Sequence, residues 1–153
     1  MKKDLVSKGV KDTDKIARDF FREILKTKTT KATVVGLSGE LGAGKTAFTQ
    51  AMAKMFGIKN KVNSPTFVIM KRYPLKKNKK NNNYKFLFHL DAYRLKNEKE
   101  LLHLGWEEII ADKENLVFIE WPENVAKIMP KDSHSIKISH TKEGNRSFKI
   151  KSS

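Results

Sequence analysis

The chain has 153 residues, no cysteine, and 32 lysines and arginines against 17 aspartates and glutamates, a formal net charge of +15. That length suits a single domain over residues 1–153 with a real core, and the lack of cysteine excludes disulfides, thiolate zinc centres and a cysteine nucleophile, leaving oxygen ligands that suit Mg²⁺. No run approaches the ~20 apolar residues of a membrane span and no apolar signal core follows Met1-Lys2-Lys3-Asp4-Leu5, so a cytoplasmic protein with no membrane partner is expected.

In chain order, Asp12 to Thr27 reads as a helix, with Ile16, Phe20 and Ile24 beside Ala17 and Phe21 as its apolar stripe. Ala32 to Ser38 is a short apolar, β-branched run suited to a buried strand. It runs into Gly39-Glu40-Leu41-Gly42-Ala43-Gly44-Lys45-Thr46, a complete G-x-x-x-x-G-K-[ST] phosphate-binding loop. A helix follows, with Ala47, Phe48, Ala51, Met52, Met55 and Phe56 on one face and Gly57 where a C-terminal cap belongs.

Pro65 forbids a helix next, and Phe67 to Tyr73 reads as an extended segment. The run Lys76-Lys77-Asn78-Lys79-Lys80-Asn81-Asn82-Asn83 reads as a solvated, mobile loop, basic but without the interleaved aromatics of a single-strand RNA binder. Beyond it, Tyr84, Phe86, Phe88 and Leu90 alternate as one face of a strand ending at Asp91, which would form a β-hairpin with the earlier segment. Asn97 to Leu104 is a short helix with Asn97 as candidate N-cap and Gly105 past its end, and Trp106 to Ala111 adds further helical turns. Leu116 to Ile119 is a buried strand that leads into Glu120-Trp121-Pro122-Glu123. Ser135 to His140 and Arg146 to Lys151 alternate about Glu143-Gly144-Asn145 as a C-terminal β-hairpin. Strands interleaved with helices predict an α/β P-loop NTPase three-layer sandwich with a mixed, mainly parallel central sheet.

The loop's chemistry is nucleotide binding: its glycines let backbone N–H groups turn inward around phosphate oxygens, Lys45 adds a point charge, and the Thr46 hydroxyl is offered to Mg²⁺. Triphosphate hydrolysis further needs a carboxylate near the metal and a group that holds water. Acids immediately after apolar strands stand at the end of the sheet where ligands collect, so Glu120 is the candidate metal-associated acid and Asp91 the second carboxylate. Thr66, in Ser64-Pro65-Thr66-Phe67, is either a γ-phosphate sensor or part of an ordinary Ser-Pro turn. Arg94 is either a phosphate contact or exposed, and the four histidines show no metal-ligand spacing. A small-molecule or nucleoside kinase could use the same parts, although its lid would want clustered arginines, and here they are dispersed.

The phosphate loop, Ser64-Pro65-Thr66-Phe67, His89-Leu90-Asp91-Ala92-Tyr93-Arg94-Leu95 and Ile119-Glu120-Trp121-Pro122 together resemble, in order and spacing, the bacterial TsaE (YjeE) family over nearly the whole chain. The resemblance implies an ATPase required for forming threonylcarbamoyladenosine in tRNA, working with TsaB and TsaD proteins and not itself the threonylcarbamoyl transferase. It implies ATP and Mg²⁺ as cofactors, phosphate and metal contacts from Lys45 and Thr46, Glu120 as metal ligand, Asp91 as important for hydrolysis, and a switch-like role for Thr66. Thr13 and Arg146 are the nearest matches to further nucleotide contacts in that family, and Ala47 closes its loop. This chain has Glu40 where family loops commonly carry Asp and Ala47 where they carry a second hydroxyl. Asn145 is also inserted between Gly144 and Arg146.

Overall fold

In a computed structural model, residues 2–59, 62 and 68–152 are described. Seven strands form one mixed sheet: β1 (Lys2–Ser7), β2 (Thr33–Ser38), β3 (Met70–Pro74), β4 (Phe86–Asp91), β5 (Asn115–Glu120), β6 (His134–His140) and β7 (Arg146–Lys151), in spatial order β1-β7-β6-β2-β5-β4-β3. The centre, β6-β2-β5-β4, is parallel, and β3, β7 and β1 extend it antiparallel at the two sides. β2 and β5 are buried on both faces, as a parallel sheet covered on both sides requires, whereas β6 alternates buried Ile136 and Ile138 with exposed Ser135 and Lys137.

The two faces have separate cores. Val35, Leu37, Leu116, Phe118, Ile136 and Ile138 meet Ile16, Phe20 and Ile24 of α1 (Val10–Lys26) and Phe48 and Met52 of α2 (Lys45–Met55). The alternate residues Val34, Leu90, Val117 and Ile119 meet Leu101 of α3 (Lys99–His103), Trp106 and Ile109 of α4 (Trp106–Ala111), and Val125 of the 3₁₀ segment Pro122–Ile128. This is the expected three-layer sandwich. Among the described residues no helix is long and apolar enough to cross a membrane.

Three local expectations change, and one strand appears where the sequence reading made no assignment. Residues Lys2–Ser7 form an edge strand paired with β7, which their weak alternation does not announce: only Lys3, Leu5 and Ser7 turn inward. Tyr84 does not share the face of Phe86, Phe88 and Leu90; it precedes β4 and turns to the α1/α2 side, where its hydroxyl bonds Thr33 Oγ1 at 2.6 Å and its ring meets Phe56. The third helix begins at Lys99, with the Asn97 side chain accepting from the Lys99 N–H at 2.9 Å. The Lys/Asn run is a folded loop with a 3₁₀ turn at Lys79–Asn81: Asn78 Oδ1 accepts from Lys80 N at 2.7 Å, and Asn82 Nδ2 donates to Leu25 O at 3.0 Å. The segment before β3 is described only from residue 68, so Phe67 lies outside the described residues.

His134 opens β6 at 2% exposure, edge-on to Phe20. Burial holds its imidazole below its ordinary value of 6.5, against the upward pull of Glu23 and Asp132. As pH falls the unfolded chain therefore takes up this proton before the folded one, so this contribution to stability is complete above pH 6.5 and is lost below it. Replacing it, His134→Leu, should flatten the decline of urea-unfolding free energy between about pH 6.5 and 5. A variant with the wild-type slope would assign that decline to other groups.

Candidate functional site

The site forms where β2, β4 and β5 end together. Gly39 leaves β2 at φ +140, and a Cβ there would stand 2.2 Å from the Ile138 carbonyl oxygen of β6, so only glycine lets the loop pass. Gly44, at φ +112, caps α2, and a Cβ there would meet the Arg146 guanidinium at 2.7 Å. Ala43 is fully buried and anchors the loop in the core, whereas Glu40, Leu41 and Gly42 are exposed along its rim. The loop thus opens onto the N-terminus of α2, where unsatisfied backbone N–H groups and the helix dipole favour an anion.

Lys45 is only 5% exposed. Its Nζ donates to the carbonyls of Gly39 and of Glu40, the latter at 2.8 Å, and lies 4.5 Å from the centre of the Trp121 ring. Burial lowers its pKa, and the carboxylates of Glu120, Asp91 and Glu123 partly restore it. Trp121 is aimed there by a left-handed backbone, φ 60, unusual for a bulky residue, and its ring also packs against Tyr93 at 5.1 Å.

The acids come from neighbouring parallel strands. Asp91 and Glu120 are register partners, so both carboxylates leave the sheet on one face, the α2 side. Glu120, 4% exposed, accepts from Thr46 Oγ1 at 3.2 and 3.3 Å through its two oxygens, and from His89 Nε2 at 2.6 Å. His89 is wholly buried, two residues before Asp91 on the same face, and its Nδ1 has no hydrogen-bond partner among the described residues. Donation from Nε2 fixes that proton on the Glu120 side of the ring. Asp91 Oδ1 accepts the Tyr93 N–H at 2.9 Å, a local turn that orients the carboxylate. Past the strand ends, Ala92 N bonds Glu120 O and Trp121 N bonds Leu37 O, so the ladder continues into the loops that carry these groups.

Two adjoining hollows result. One, about 290 Å³, is lined by Lys45, Thr46, Asp91, Tyr93, Glu120 and Trp121. The other, about 700 Å³, lies along α1 and α2 and is bordered by Thr13, Arg18, Ala47, Gln50 and Arg146. Ala47 borders both. The structure therefore brings Lys45, Thr46, Asp91 and Glu120 together, and sets Thr13 and Arg146 in the adjoining space, where the Thr13 hydroxyl is bonded to Ser7 Oγ at 2.7 Å. Thr66 lies outside the described residues, and Arg94 is exposed. Sequence reasoning missed His89 and gave Trp121 no role; the one available signal for His89 was its two-residue spacing from Asp91 on a strand.

Comparison with known proteins agrees with this architecture. Residues 7–148 match the family model described as "Threonylcarbamoyl adenosine biosynthesis protein TsaE". The chain is 32% identical over 126 residues to the tRNA threonylcarbamoyladenosine biosynthesis protein TsaE of Haemophilus influenzae, covering 82% of this chain and 75% of that protein. It is 35% identical over 113 residues to the Bacillus subtilis TsaE protein, covering 74% of this chain and 65% of that one, just under two thirds of its length. The Treponema pallidum TsaE protein is 31% identical over 120 residues, with 78% and 82% covered. The crystal structure of Bacillus subtilis YdiB superposes with a TM-score of 0.71 at 25% identity, covering 98% of this chain and 84% of that one. With the family model spanning residues 7–148, the chain belongs to the TsaE family.

Proposed function

We propose that this chain binds and slowly hydrolyses ATP, with Mg²⁺, as a component of the machinery that forms threonylcarbamoyladenosine in tRNA, acting on TsaD- and TsaB-type partners rather than transferring the threonylcarbamoyl group itself. The observation that carries the reading is the contact of Thr46 with Glu120 at the mouth of the phosphate loop, with Asp91 in register beside it. The relatives' name, tRNA threonylcarbamoyladenosine biosynthesis protein TsaE, supplies the pathway.

The donor set suits Mg²⁺. A hydroxyl and a carboxylate, with no sulfur, match a hard cation that keeps several waters and takes phosphate oxygens for the rest. Among the described residues no group of three His, Asp or Glu side chains forms a self-sufficient metal cage, in keeping with a metal that arrives with its nucleotide. Thr46 and Glu120 would hold the ion, whose charge would offset that on the phosphates.

The protein's own residues do the rest. Lys45 holds two loop carbonyls, so an entering phosphate can exchange those contacts for charged ones without the side chain leaving its place. His89 holds Glu120 facing Thr46. The Asp91 carboxylate, fixed by the Tyr93 N–H, orients a water or accepts its proton. Trp121 and Tyr93 wall the phosphate hollow, while Thr13, Ala47 and Arg146 border the larger one that would take the nucleoside.

Purified wild type should show slow ATP hydrolysis, faster with TsaB and TsaD proteins, and Lys45→Ala and Glu120→Ala should each lower turnover on the order of 10²–10³-fold, as loss of one preorganised electrostatic contact does. Undiminished hydrolysis by Glu120→Ala would remove it as metal ligand, failure to co-purify with TsaD or TsaB would remove the pathway, and rapid phosphorylation of a nucleoside would favour a kinase.

Removal of one partner from a buried carboxylate pair leaves the other unsatisfied, so His89→Ala should cost about 3–5 kcal/mol in urea unfolding, and His89→Gln, which keeps a donor, distinctly less. A double-mutant cycle with Glu120→Gln should return a coupling of about 1–3 kcal/mol. Additive losses would mean that the 2.6 Å contact contributes nothing to holding Glu120.

A further inference from the structure

Part of the chain's +15 charge is concentrated at one end of the sheet. The connections that enter β2, β4 and β5 meet at the end of the sheet opposite the phosphate loop, because those three strands are parallel and adjacent. Lys26, Lys28 and Lys31 lie on the approach to β2, Lys85 immediately before β4, and Lys113 before β5. The folded loop from β3 to β4 adds Lys76, Lys77, Lys79 and Lys80. All nine are exposed.

Hydrogen bonds join these pieces into one surface. Asn82 of the loop bonds Leu25 O at the end of α1, Lys85 N bonds Glu114 O, and Ala32 N bonds Ile110 O. The ends of β2, β5 and β4 then lie within about 10 Å, two strand spacings. The acids in these connections are Asp112 and Glu114, and Glu114 pairs with Lys77 at 2.9 Å. Among the described residues the other eight lysines make no ion pair.

We infer that this lysine-covered end of the sheet is an RNA-backbone docking surface, distinct from the nucleotide site. Lysine is a compact point charge suited to phosphate, and no arginine fork in these connections reads base edges. Of the nearest aromatic residues, Tyr84 is buried, and half-buried Phe86 is already covered by the cations of Arg72 at 4.6 Å and Lys85 at 5.5 Å, so no bare ring offers bases a stacking platform. Those two facts select sequence-independent contact with phosphates. The choice of RNA, and of tRNA in particular, over other polyanions rests on the function proposed above. At about 3.3 Å per residue, β4 puts Lys85 some 20 Å from Asp91, which leaves both ends usable at once.

The test is anisotropy titration of a labelled, unmodified tRNA transcript, without nucleotide, in about 50 to 200 mM salt, the range over which phosphate contacts weaken steeply. The first variant combines Lys28→Gln, Lys76→Gln, Lys79→Gln and Lys80→Gln, leaving the Lys77–Glu114 pair intact. A control of equal charge combines Lys96→Gln, Lys99→Gln, Lys137→Gln and Lys149→Gln, exposed lysines away from the strand-entry end. The inference expects the first variant to bind at least tenfold more weakly, with a log–log salt slope smaller by about 3 (roughly 0.7–0.9 per contact), and the control to stay within about twofold of wild type. Equal losses in both variants, wild-type affinity in the first, or loss of TsaD or TsaB binding with RNA binding retained would each overturn it, the last by assigning the surface to an acidic protein. ATP hydrolysis by the first variant should match wild type, and Lys45→Ala should bind the transcript normally. RNA binding through this surface by a chain with no ATPase activity would sink the proposed function and leave the surface standing.

Discussion

The structure turns on a carboxylate that is almost entirely out of water. Glu120 ends β5 at 4% exposure, where an unpartnered ionised acid would be strongly disfavoured. It is tolerable because three separate elements converge on it: Thr46 from the first turn of α2, His89 from β4, and the backbone of β2, whose Leu37 is its register partner. The central strand order follows from the same requirement. With β5 between β2 and β4, one acid can face both the phosphate loop and a histidine; any other order would strand it.

The loop geometry depends on that convergence. Gly39 can pass only because it has no Cβ, whose place Ile138 O takes, and Gly44 likewise leaves room for the Arg146 guanidinium. Trp121 accepts a left-handed backbone, a conformation that costs a bulky residue of order 1–3 kcal/mol, and its ring consequently reaches Lys45 and Tyr93. Backbone strain next to Glu120 and two glycines in close contact are local departures from regularity. They are placed around one side chain, as functional sites commonly concentrate them.

What could be read from the sequence was what local chemistry decides. The phosphate loop, its flanking strand and helix, and Asp91 and Glu120 at strand ends are short-range patterns, and the fold places them as that logic requires. What could not be read depends on partners far along the chain. Lys2–Ser7 is a strand because β7 offers an edge, not because its own alternation is strong. Tyr84 turns away from Phe86 because Thr33 and Phe56 receive it. His89, in an apolar run, signalled only its two-residue spacing from Asp91; its meaning comes from Glu120, thirty-one residues away and visible only once β4 and β5 are in register.

A charge of +15 invites the thought that the protein attracts a polyphosphate by its overall field. The site argues otherwise. In the phosphate hollow Lys45 stands against Asp91, Glu120 and nearby Glu123, so that hollow carries no excess of side-chain cations, and burial weakens the Lys45 cation further. On the function proposed above, attraction for phosphate there would come from oriented N–H groups at the start of α2 and from a cation brought with the nucleotide, not from net charge. Eight lysines without an ion pair among the described residues stand at the far end, where Asp112 and Glu114 are too few to offset them. A parallel sheet makes this separation possible, since every crossover returns the chain to the end remote from the ligand. Charge placed on those returning connections can serve a second anion without disturbing the first.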